Sequence, residues 1–220
     1  MKALILTNGE LYRPDVLLDR ISGEVFAIVL GVDGGARHAR TLNVTLNTII
    51  GDLDSLSEPD QHGFNDVSVV AWPAEKNETD LELALFYAAK QGVDQIVMVG
   101  VMGGRMDMTI ANIQLLTHAG LDSCKVEVWH GEQTAWVIRP PGGDVSGHPG
   151  DTVSLIPISG DASGITTHGL KYQLNDEKLR FGPTRGVSNL METSSGLVVL
   201  SKGRLLVVHT PRRQVRKEEA

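Results

Sequence analysis

The sequence of 220 residues contains a single cysteine, Cys124, and no long hydrophobic run near its N-terminus. One cysteine cannot form a disulfide bond within the chain, and its presence fits a reducing compartment. The N-terminal apolar stretch covers only Ala3–Leu6, which is too short for the core of a signal peptide or for a membrane-spanning helix. We therefore expect a cytoplasmic protein.

The chain also lacks an excess of positive charge and several well-known catalytic signatures. Its formal net charge is −7 at pH 7, which argues against a protein that binds the phosphate backbone of nucleic acids. It contains no P-loop sequence GxxxxGK[ST], no dinucleotide-binding GxGxxG and no GxSxG nucleophile elbow. The seven histidines are scattered and form no HExxH motif, so they predict no zinc site.

Strand-like and helix-like segments alternate in the first half of the chain. Short apolar runs predict strands at Ala3–Leu6, Val25–Leu30, Thr48–Ile50, Val67–Trp72 and Gln95–Met102. The last run is almost continuously apolar, which is typical of a strand that is covered on both faces. Alternation of this kind predicts an α/β fold with a mostly parallel sheet and flanking helices.

Two helices are predicted between these strands. The first begins with a capping box formed by Thr79 and Glu82 and should end near Gly92. Its predicted buried stripe consists of Leu81, Ala84, Leu85 and Ala88. The second helix follows the sequence GGRMD and should end near Gly120, and its residues at helical spacing are Ile110, Ile113, Gln114 and Thr117.

The pattern changes after about residue 122. Short alternating runs, separated by clusters of glycine, proline and aspartate such as RPPGGD and SGHPGD, predict an all-β, sandwich-like C-terminal domain. We therefore expect two domains, 1–122 and 123–220. The predicted strands of the second domain are Val126–Trp129, Ala135–Ile138, Thr152–Ile156, Leu170–Leu174, Leu197–Leu200 and Leu205–Val208.

Four motifs with charged residues follow predicted strands of the first half: VDGGA, GDLDS, ETD and GGRMD. Ligands of open α/β sheets bind outside the carboxyl ends of the strands, so this topology should gather these motifs around one crevice. The charged residues expected there are Asp33, Asp52, Asp54, Asp80, Arg105 and Asp107.

Each motif also has an ordinary structural explanation when it is taken alone. Asp80 favours a helix N-terminus, Asp52 and Asp54 are common in turns, and a glycine pair permits a tight turn. Several carboxylates in one crevice, however, repel each other unless a cation is bound, and hard oxygen ligands favour magnesium, manganese or calcium. An arginine that follows a glycine pair at a helix start suits phosphate oxygens. The combination predicts a magnesium–polyphosphate site.

The motifs VDGGA, GDLDS, ETDLELAL and GGRMDMTIAN, followed by GITTHGLKYQL and FGPTRGVSN, resemble the signature of the thiamine pyrophosphokinase family. The resemblance covers about residues 30–190. It implies an α/β catalytic domain that binds ATP, followed by a β-sandwich that binds thiamine. It also implies transfer of the terminal diphosphate of ATP to thiamine with Mg²⁺, giving thiamine diphosphate and AMP. The expected assembly is a homodimer, with thiamine bound where the β domain of one chain meets the α/β domain of the other.

The resemblance also assigns roles to individual residues. It implies that Asp52, Asp54, Asp80 and Asp107 handle the metal and that, together with Arg105, they form the catalytic set. The ATP-binding residues implied are Asp33, Gly34, Thr79, Gly103, Gly104 and Arg105, and the thiamine-binding residues are Tyr172, Ser188 and Asn189. The chain departs from the family pattern at Leu53, where phenylalanine is common, and at Met108, where histidine is frequent.

Two other classes of protein remain open from the residues. A nucleotide-sugar glycosyltransferase also places a DxD motif at a strand end to hold a metal and a diphosphate, but it leaves the small β domain and the GGRMD helix unexplained. A non-catalytic sensor of thiamine or a nucleotide would retain the fold without the chemistry, although the complete acidic set argues against it.

Overall fold

The computed structural model describes residues 1–51, 64, 67–72 and 77–212. The chain divides into two compact units, Met1–Glu132 and Gln133–Ala220. The division falls after Glu132 rather than after residue 122, because the strand Lys125–His130 pairs in parallel with Gln95–Val99 of the first unit. The assignment of ATP binding to the first domain and thiamine binding to the second stays a prediction.

The first unit is built on a parallel sheet with helices between its strands. Its described strands follow the order β6-β5-β1-β2-β3-β4, and every adjacent pair is parallel. The elements are β1 (Lys2–Leu6), α1 (Pro14–Ser22), β2 (Ile28–Val32), a 3₁₀ helix (Asp33–Arg37), α2 (His38–Thr41), β3 (Thr48–Ile50), β4 (Ser68–Val70), α3 (Asp80–Lys90), β5 (Gln95–Val99), α4 (Met106–Leu115), a second 3₁₀ helix (Ala119–Leu121) and β6 (Lys125–His130).

The central strands of this sheet are buried on both faces, as their apolar sequences predict. Residues Ala3–Leu6 of β1 and Ile96–Val99 of β5 have at most 1% of their surface exposed. Helix α3 buries its predicted stripe, and the Thr79 side chain accepts a hydrogen bond of 3.3 Å from the Glu82 amide, which confirms the predicted cap. Among the described residues, no helix combines the length and the apolar character needed to cross a membrane.

Two local expectations for this unit are wrong, and one helix is absent from them. Strand β2 begins at Ile28 rather than at Val25, which is 88% exposed. Helix α4 ends at Leu115 and buries Asn112, whereas Ile110 of the predicted stripe is 53% exposed. Helix α1 was not expected from the pattern, although Pro14 at its first position is a common helix start.

The second unit contains two antiparallel sheets that pack around one apolar core. The orders are β12-β9-β14-β7 and β11-β10-β13-β8, and the core includes residues from both sheets, such as Ile138, Val153, Ile165 and Val198. The strands are β7 (Gln133–Ile138), β8 (Gly142–Ser146), β9 (Thr152–Pro157), β10 (Ala162–His168), β11 (Glu177–Leu179), β12 (Asn189–Leu190), β13 (Ser195–Val199) and β14 (Leu205–Thr210).

Two expectations for the second unit are also wrong. The segment Leu170–Leu174 makes one bridge, between Leu170 and Met191, because the Thr167 side chain accepts from the Leu174 amide at 2.9 Å and folds the segment back. Part of the RPPGGD cluster, expected to separate strands, starts strand β8. A Cβ atom on Gly142 would lie 2.2 Å from the carbonyl oxygen of Val198, so glycine permits this close pairing.

Candidate active site

A cleft of about 390 Å³ lies in the first unit, at the carboxyl ends of its parallel strands. Residues that follow β1, β2 and β5 line it, together with the first residues of α3 and with Met108 and Asn112 of α4. The side chains that matter for its chemistry are those of Asn8, Asp33, Asp80, Arg105, Met108 and Asn112.

The position of this cleft follows from the strand order. Strands β2, β3 and β4 extend the sheet to one side of β1, whereas β5 and β6 extend it to the other side. The loops after β1 and β5 therefore leave the sheet in different directions, which opens a crevice where α/β proteins bind ligands. Asp33, Asp80 and Arg105 all line this crevice, as predicted from their positions after the strands.

Asp33 is held in an unusual conformation at the end of β2. Its φ angle of 46° lies in the left-handed region, which is uncommon for a residue other than glycine. Gly51, at the end of β3, has φ of 130°, and a Cβ atom there would lie 1.7 Å from Asp33 Oδ1. The first residue of the GDLDS motif is therefore a glycine that makes room for the Asp33 carboxylate. Asp52 and Asp54 of the same motif lie outside the described residues.

The N-terminus of α3 faces the cleft. Asp80 is its first residue and lines the cleft, while Thr79 caps the helix through the Glu82 amide. The partial positive charge of a helix N-terminus stabilises anions, and it serves either the Asp80 carboxylate or a phosphate group. Thr79 thus has a structural role in the helix cap, and its predicted role in ATP binding stays a prediction.

The GGRMD segment forms the opposite wall of the cleft. Gly104 has open space around it, since a Cβ atom there would meet no atom within 4 Å, whereas a Cβ atom on Gly103 would lie 3.0 Å from Gly9 Cα. Arg105 donates from Nη2 to Asp107 Oδ2 at 2.5 Å and from Nε to Oδ1 at 3.2 Å. This hydrogen bonding, with the positive charge of Arg105, lowers the pKa of Asp107 below its ordinary value.

Met108 and Asn112 of α4 also line the cleft. Met108 places a thioether where the family pattern frequently has histidine, and a thioether offers neither a strong donor nor a strong acceptor. Asn112 is buried, and its Nδ2 donates at 3.1 Å to the carbonyl oxygen of Val101, which ties α4 to the loop after β5. Asn112 belongs to the GGRMDMTIAN motif but was not singled out from the sequence.

Sequence reasoning missed the loop that follows β1. Asn8 and Gly9 line the cleft, and a Cβ atom on Gly9 would lie 2.2 Å from the Gly100 carbonyl oxygen and 2.3 Å from that of Met102. The signal that could have identified this loop is the sequence TNG directly after the first buried strand, at the same edge of the sheet as the acidic motifs. Its polar residues have the placement expected of ligand-binding residues.

The described residues supply only part of a metal site. Among them, no group of three or more histidine, cysteine, aspartate or glutamate side chains is arranged to hold a metal ion. Asp33 and Asp80 nevertheless offer carboxylate oxygens in the cleft, which is the donor chemistry that magnesium prefers. This donor chemistry fits the predicted metal, and the DxD pair of Asp52 and Asp54 would have to complete the set.

The predicted thiamine-binding residues lie together in the second unit. Asn189 Oδ1 accepts from the Tyr172 amide at 2.9 Å, and Asn189 Nδ2 donates to the Tyr172 carbonyl oxygen at 2.7 Å. Asn189 is buried and fixes the backbone of Tyr172, whose side chain is 60% exposed. Ser188 has φ of 61°, and its amide donates to Ser154 Oγ at 3.1 Å. The arrangement presents an exposed aromatic ring from a fixed backbone.

In a comparison with known proteins, both units match models of domains from one protein family. A model described as "Thiamin pyrophosphokinase, catalytic domain" matches residues 24–128, and one described as "Thiamin pyrophosphokinase, vitamin B1 binding domain" matches residues 142–205. The chain is 29% identical to a thiamine pyrophosphokinase of Bacillus subtilis over 215 residues, which are 96% of this chain and 99% of the relative.

Solved structures show the same architecture. The crystal structure of thiamin pyrophosphokinase from Geobacillus thermodenitrificans is 30% identical, with a TM-score of 0.83 and coverage of 97% of this chain and 99% of the other. The Bacillus subtilis structure is 27% identical, with a TM-score of 0.85 and coverage of 97% and 100%. The yeast thiamin pyrophosphokinase structure is 18% identical, with a TM-score of 0.77 and coverage of 95% of this chain and 86% of the other. At this identity the likeness bears on the fold alone. These similarities confirm the predicted fold class.

Proposed function

The chain belongs to the thiamine pyrophosphokinase family and is an enzyme of that class, and from this premise we propose that it transfers the diphosphate group of ATP to the hydroxyl group of thiamine. The products are thiamine diphosphate and AMP. The observation that supports this assignment best is the cleft at the carboxyl edge of the parallel sheet, where Asp33, Asp80 and Arg105 lie with the N-terminus of α3. We place this activity in the cytoplasm, in line with the single cysteine.

The cleft has the features needed to hold the phosphates of ATP. Arg105 supplies a guanidinium fork, α3 supplies the positive end of its dipole, and Gly104 leaves space for a phosphate to approach the backbone. A phosphate group that binds the Nε and Nη2 edge of Arg105 replaces Asp107 there. ATP binding is therefore expected to release the Asp107 carboxylate for another partner.

Magnesium is the proposed cofactor, held by carboxylates of the acidic set. Asp80 lies in the cleft, Asp107 lies beside Arg105, and Asp52 and Asp54 belong to the DxD pair. A bound magnesium ion supplies positive charge that neutralises the phosphate oxygens and polarises the phosphorus. Without it, the carboxylates of the cleft would repel the polyphosphate.

The reaction is an in-line displacement at the β-phosphorus of ATP. The hydroxyethyl oxygen of thiamine forms a bond to this phosphorus, and the bond to the bridging α,β-oxygen breaks, so AMP leaves with that oxygen. The hydroxyl proton passes to a carboxylate of the acidic set. Arg105 stabilises the charge that develops on the phosphate oxygens, since such transfers depend on positioning and electrostatics.

We assign thiamine binding to the second unit, with Tyr172 as the stacking group and Ser188 and Asn189 as its support. The exposed ring of Tyr172 suits a cationic heteroaromatic ligand. We further propose a homodimer in which the β unit of one chain completes the thiamine site of the other. Exposed apolar side chains support this assembly, including those of Met106 and Ile110 on α4 and those of Tyr172 and Val187 in the second unit.

The direct test incubates the full chain with ATP, magnesium and thiamine and detects thiamine diphosphate by mass spectrometry. A nucleotide-sugar glycosyltransferase would instead release UDP from a UDP-sugar, and a sensor would bind thiamine or ATP without turnover. In the same assay, Asp54→Asn should lose most of the transfer activity while its circular dichroism stays unchanged. A fully active, magnesium-dependent Asp54→Asn protein would contradict the metal role of that residue.

A further inference from the structure

We propose that Asn8 and Arg37 form a phosphate-recognising pair on the wall of the cleft. In this pair, Arg37 orients the Asn8 carboxamide so that Nδ2 donates a hydrogen bond to a phosphate oxygen of the bound nucleotide. This inference rests on the proposed function, because it takes the cleft to be the nucleotide site. Neither residue belongs to the acidic or thiamine-binding sets described above.

The pair joins the loops that follow β1 and β2. Arg37 is the last residue of the 3₁₀ helix after β2, and its Nη1 donates to Asn8 Oδ1 and, at 2.7 Å, to the carbonyl oxygen of Gly34. Its Nη2 reaches the carbonyl oxygens of Asn8 at 3.4 Å and Gly9 at 3.5 Å. One guanidinium group thus holds both the backbone and the side chain of the loop that lines the cleft.

These contacts determine which way the Asn8 carboxamide points. A guanidinium group only donates, so the Asn8 atom that faces Arg37 has to be the oxygen. The Nδ2 group is therefore directed away from Arg37, and within the described part of the chain it donates to no protein acceptor. Asn8 is exposed and lines the cleft. The pair therefore offers two unused N–H donors to a ligand.

The charge of Arg37 indicates that the ligand group is an anion. Its hydrogen-bond acceptors are carbonyl and carboxamide oxygens, and no carboxylate of the described residues forms an ion pair with it. Arg105, by contrast, is paired with Asp107. Arg37 therefore contributes positive charge beside the cleft that is not paired with a carboxylate in the part of the chain that the structure describes. A phosphate oxygen satisfies both this charge and the Asn8 donor.

The surrounding backbone is built around the pair. A Cβ atom on Gly34 would lie 2.6 Å from Asn8 Oδ1 and 2.9 Å from Arg37 Nη1, so only glycine leaves room for the contact. His38 Nε2 donates to the Gly9 carbonyl oxygen at 2.9 Å and fixes the loop from the other side. Gly34, expected from the family resemblance to bind ATP, thus has a specific reason to be glycine that involves no ligand contact.

The first test substitutes Asn8 and measures the dissociation constants of ATP and of inorganic tripolyphosphate, both with magnesium, by calorimetry on the full chain. Asn8→Ala removes the donor without adding charge, and it should weaken both ligands about 10- to 100-fold. Asn8→Asp retains an oxygen that accepts from Arg37, so its melting temperature should stay close to that of the wild type, yet it should weaken both ligands at least as much. Because the added negative charge of Asn8→Asp repels an anion in any case, Asn8→Ala carries the test, and a merely structural Asn8 would lower the melting temperature of Asn8→Ala together with its affinity.

The second test asks whether Arg37 acts through Asn8. Arg37→Gln should lower the affinity for ATP. If Arg37 acts through Asn8, the double variant Asn8→Ala/Arg37→Gln should bind ATP less than about threefold more weakly than the weaker of the two single variants. Lys90→Gln is the matched control, because it removes one positive charge from the exposed C-terminal end of α3 and should change the ATP affinity less than twofold.

The outcomes separate this inference from the function on which it rests. If the wild type neither binds ATP nor forms thiamine diphosphate, the proposed function and the pair are both wrong. If the wild type is active but Asn8→Ala binds ATP within twofold of the wild type, or if the two substitutions are fully additive, the pair alone is wrong. If Asn8→Ala weakens the binding of ATP but not that of tripolyphosphate, Asn8 contacts the nucleoside and the phosphate assignment is overturned.

Discussion

Arg105 and Asp107, which are two positions apart at the start of α4, bind each other through two hydrogen bonds, Nη2–Oδ2 at 2.5 Å and Nε–Oδ1 at 3.2 Å. Both side chains are largely exposed, with 73% and 67% of their surface accessible. The carboxylate of Asp107 therefore occupies the Nε and Nη2 edge of the guanidinium group, which is an edge that a phosphate group can use. An exposed pair of this kind is easily exchanged for another partner.

This exchange predicts opposite effects of Asp107→Asn on binding and on turnover. Without magnesium, the variant should bind ATP about two- to fivefold more tightly, because Arg105 no longer has a competing carboxylate. With magnesium, kcat should fall at least about tenfold, since the variant loses a proposed ligand for the metal. Calorimetry with EDTA and steady-state kinetics measure the two quantities. If ATP binding without magnesium weakens, Asp107 does not compete for Arg105.

Two glycines should respond differently to alanine. Gly51→Ala places a Cβ atom 1.7 Å from Asp33 Oδ1 at a φ of 130°, so it should displace Asp33, lower the melting temperature and reduce kcat by about 100-fold or more. Gly104→Ala meets no atom within 4 Å and should leave the melting temperature unchanged while raising the KM for ATP.

Calorimetric melting and steady-state assays of these two variants, with Gly23→Ala as a control at the end of α1, measure the difference. Gly23 has φ of −81°, which alanine adopts without strain. An unchanged KM for ATP in Gly104→Ala would indicate that no phosphate approaches this backbone.

Tyr172 should act on thiamine and not on ATP. Removing the exposed ring in Tyr172→Ala should raise the KM for thiamine about 10-fold or more, because stacking on a cationic ring is lost. Tyr172→Phe retains the ring and should stay within about threefold of the wild type. Kinetics with thiamine varied at saturating ATP measure this effect. A Tyr172→Ala variant with an altered KM for ATP only would contradict the assignment of thiamine binding to this side chain.

A buried carboxylate stabilises the second unit. Asp151 is 3% exposed and accepts from the His148 amide, the Arg212 amide and His209 Nε2, each at 2.8 Å. Burial alone would raise the pKa of Asp151, but these hydrogen bonds outweigh burial and lower it below the ordinary value.

Asp151→Asn turns one acceptor into a donor that faces another donor, so the free energy of unfolding should fall by about 2–3 kcal/mol. Urea denaturation measures this loss. The control His148→Ala removes a side chain that is 90% exposed, and its free energy of unfolding should stay within about 0.5 kcal/mol of the wild type. Equal losses in the two variants would mean that the carboxylate is unimportant.

His38 makes stability depend on pH near neutrality. Burial lowers its pKa below the ordinary value of 6.5, and the charge of Arg37 acts in the same direction, although the hydrogen bond with the Gly9 carbonyl opposes them. In the window between the lowered pKa and 6.5, the unfolded chain binds more protons than the folded chain. The contribution of neutral His38 is therefore complete above that window and is lost as the pH falls through it.

The melting temperature of the wild type should accordingly fall more between pH 7 and about pH 5.5 than that of His38→Gln, which cannot be protonated. Differential scanning calorimetry of both proteins at several pH values measures the difference. Parallel curves for the two proteins would show that His38 does not contribute.

The parts of the fold that the sequence predicts well are those in which burial and periodicity agree. The apolar runs of β1 and β3 and the capped stripe of α3 are repetitive signals, and the structure confirms them. Strand β5 is confirmed as well, although it ends at Val99 rather than at Met102. Helix α4 was misjudged because its buried face is formed by Asn112, a polar residue held by the Val101 carbonyl, while Ile110 is exposed. Hydrophobic periodicity does not detect a face that is buried through a hydrogen bond.

In the candidate site, too, some residues could be predicted from the sequence and some contacts could not. Charged motifs at strand ends identify Asp33, Asp80 and Arg105, because topology alone brings strand ends together. The contact between Asn8 and Arg37 depends on which side chains meet across two loops, and no local pattern encodes that pairing. The same limit applies to the Arg105–Asp107 pair, which is visible only in the rotamers of both side chains.

The most direct test of the account follows the phosphorus atoms of ATP. The full chain is incubated with thiamine, magnesium and ATP labelled at the β-phosphorus, and the products are separated and identified by mass. We predict that the label appears in thiamine diphosphate and that AMP forms in equal amount. Formation of ADP with thiamine monophosphate, or of no phosphorylated thiamine at all, would contradict attack at the β-phosphorus and with it the proposed function.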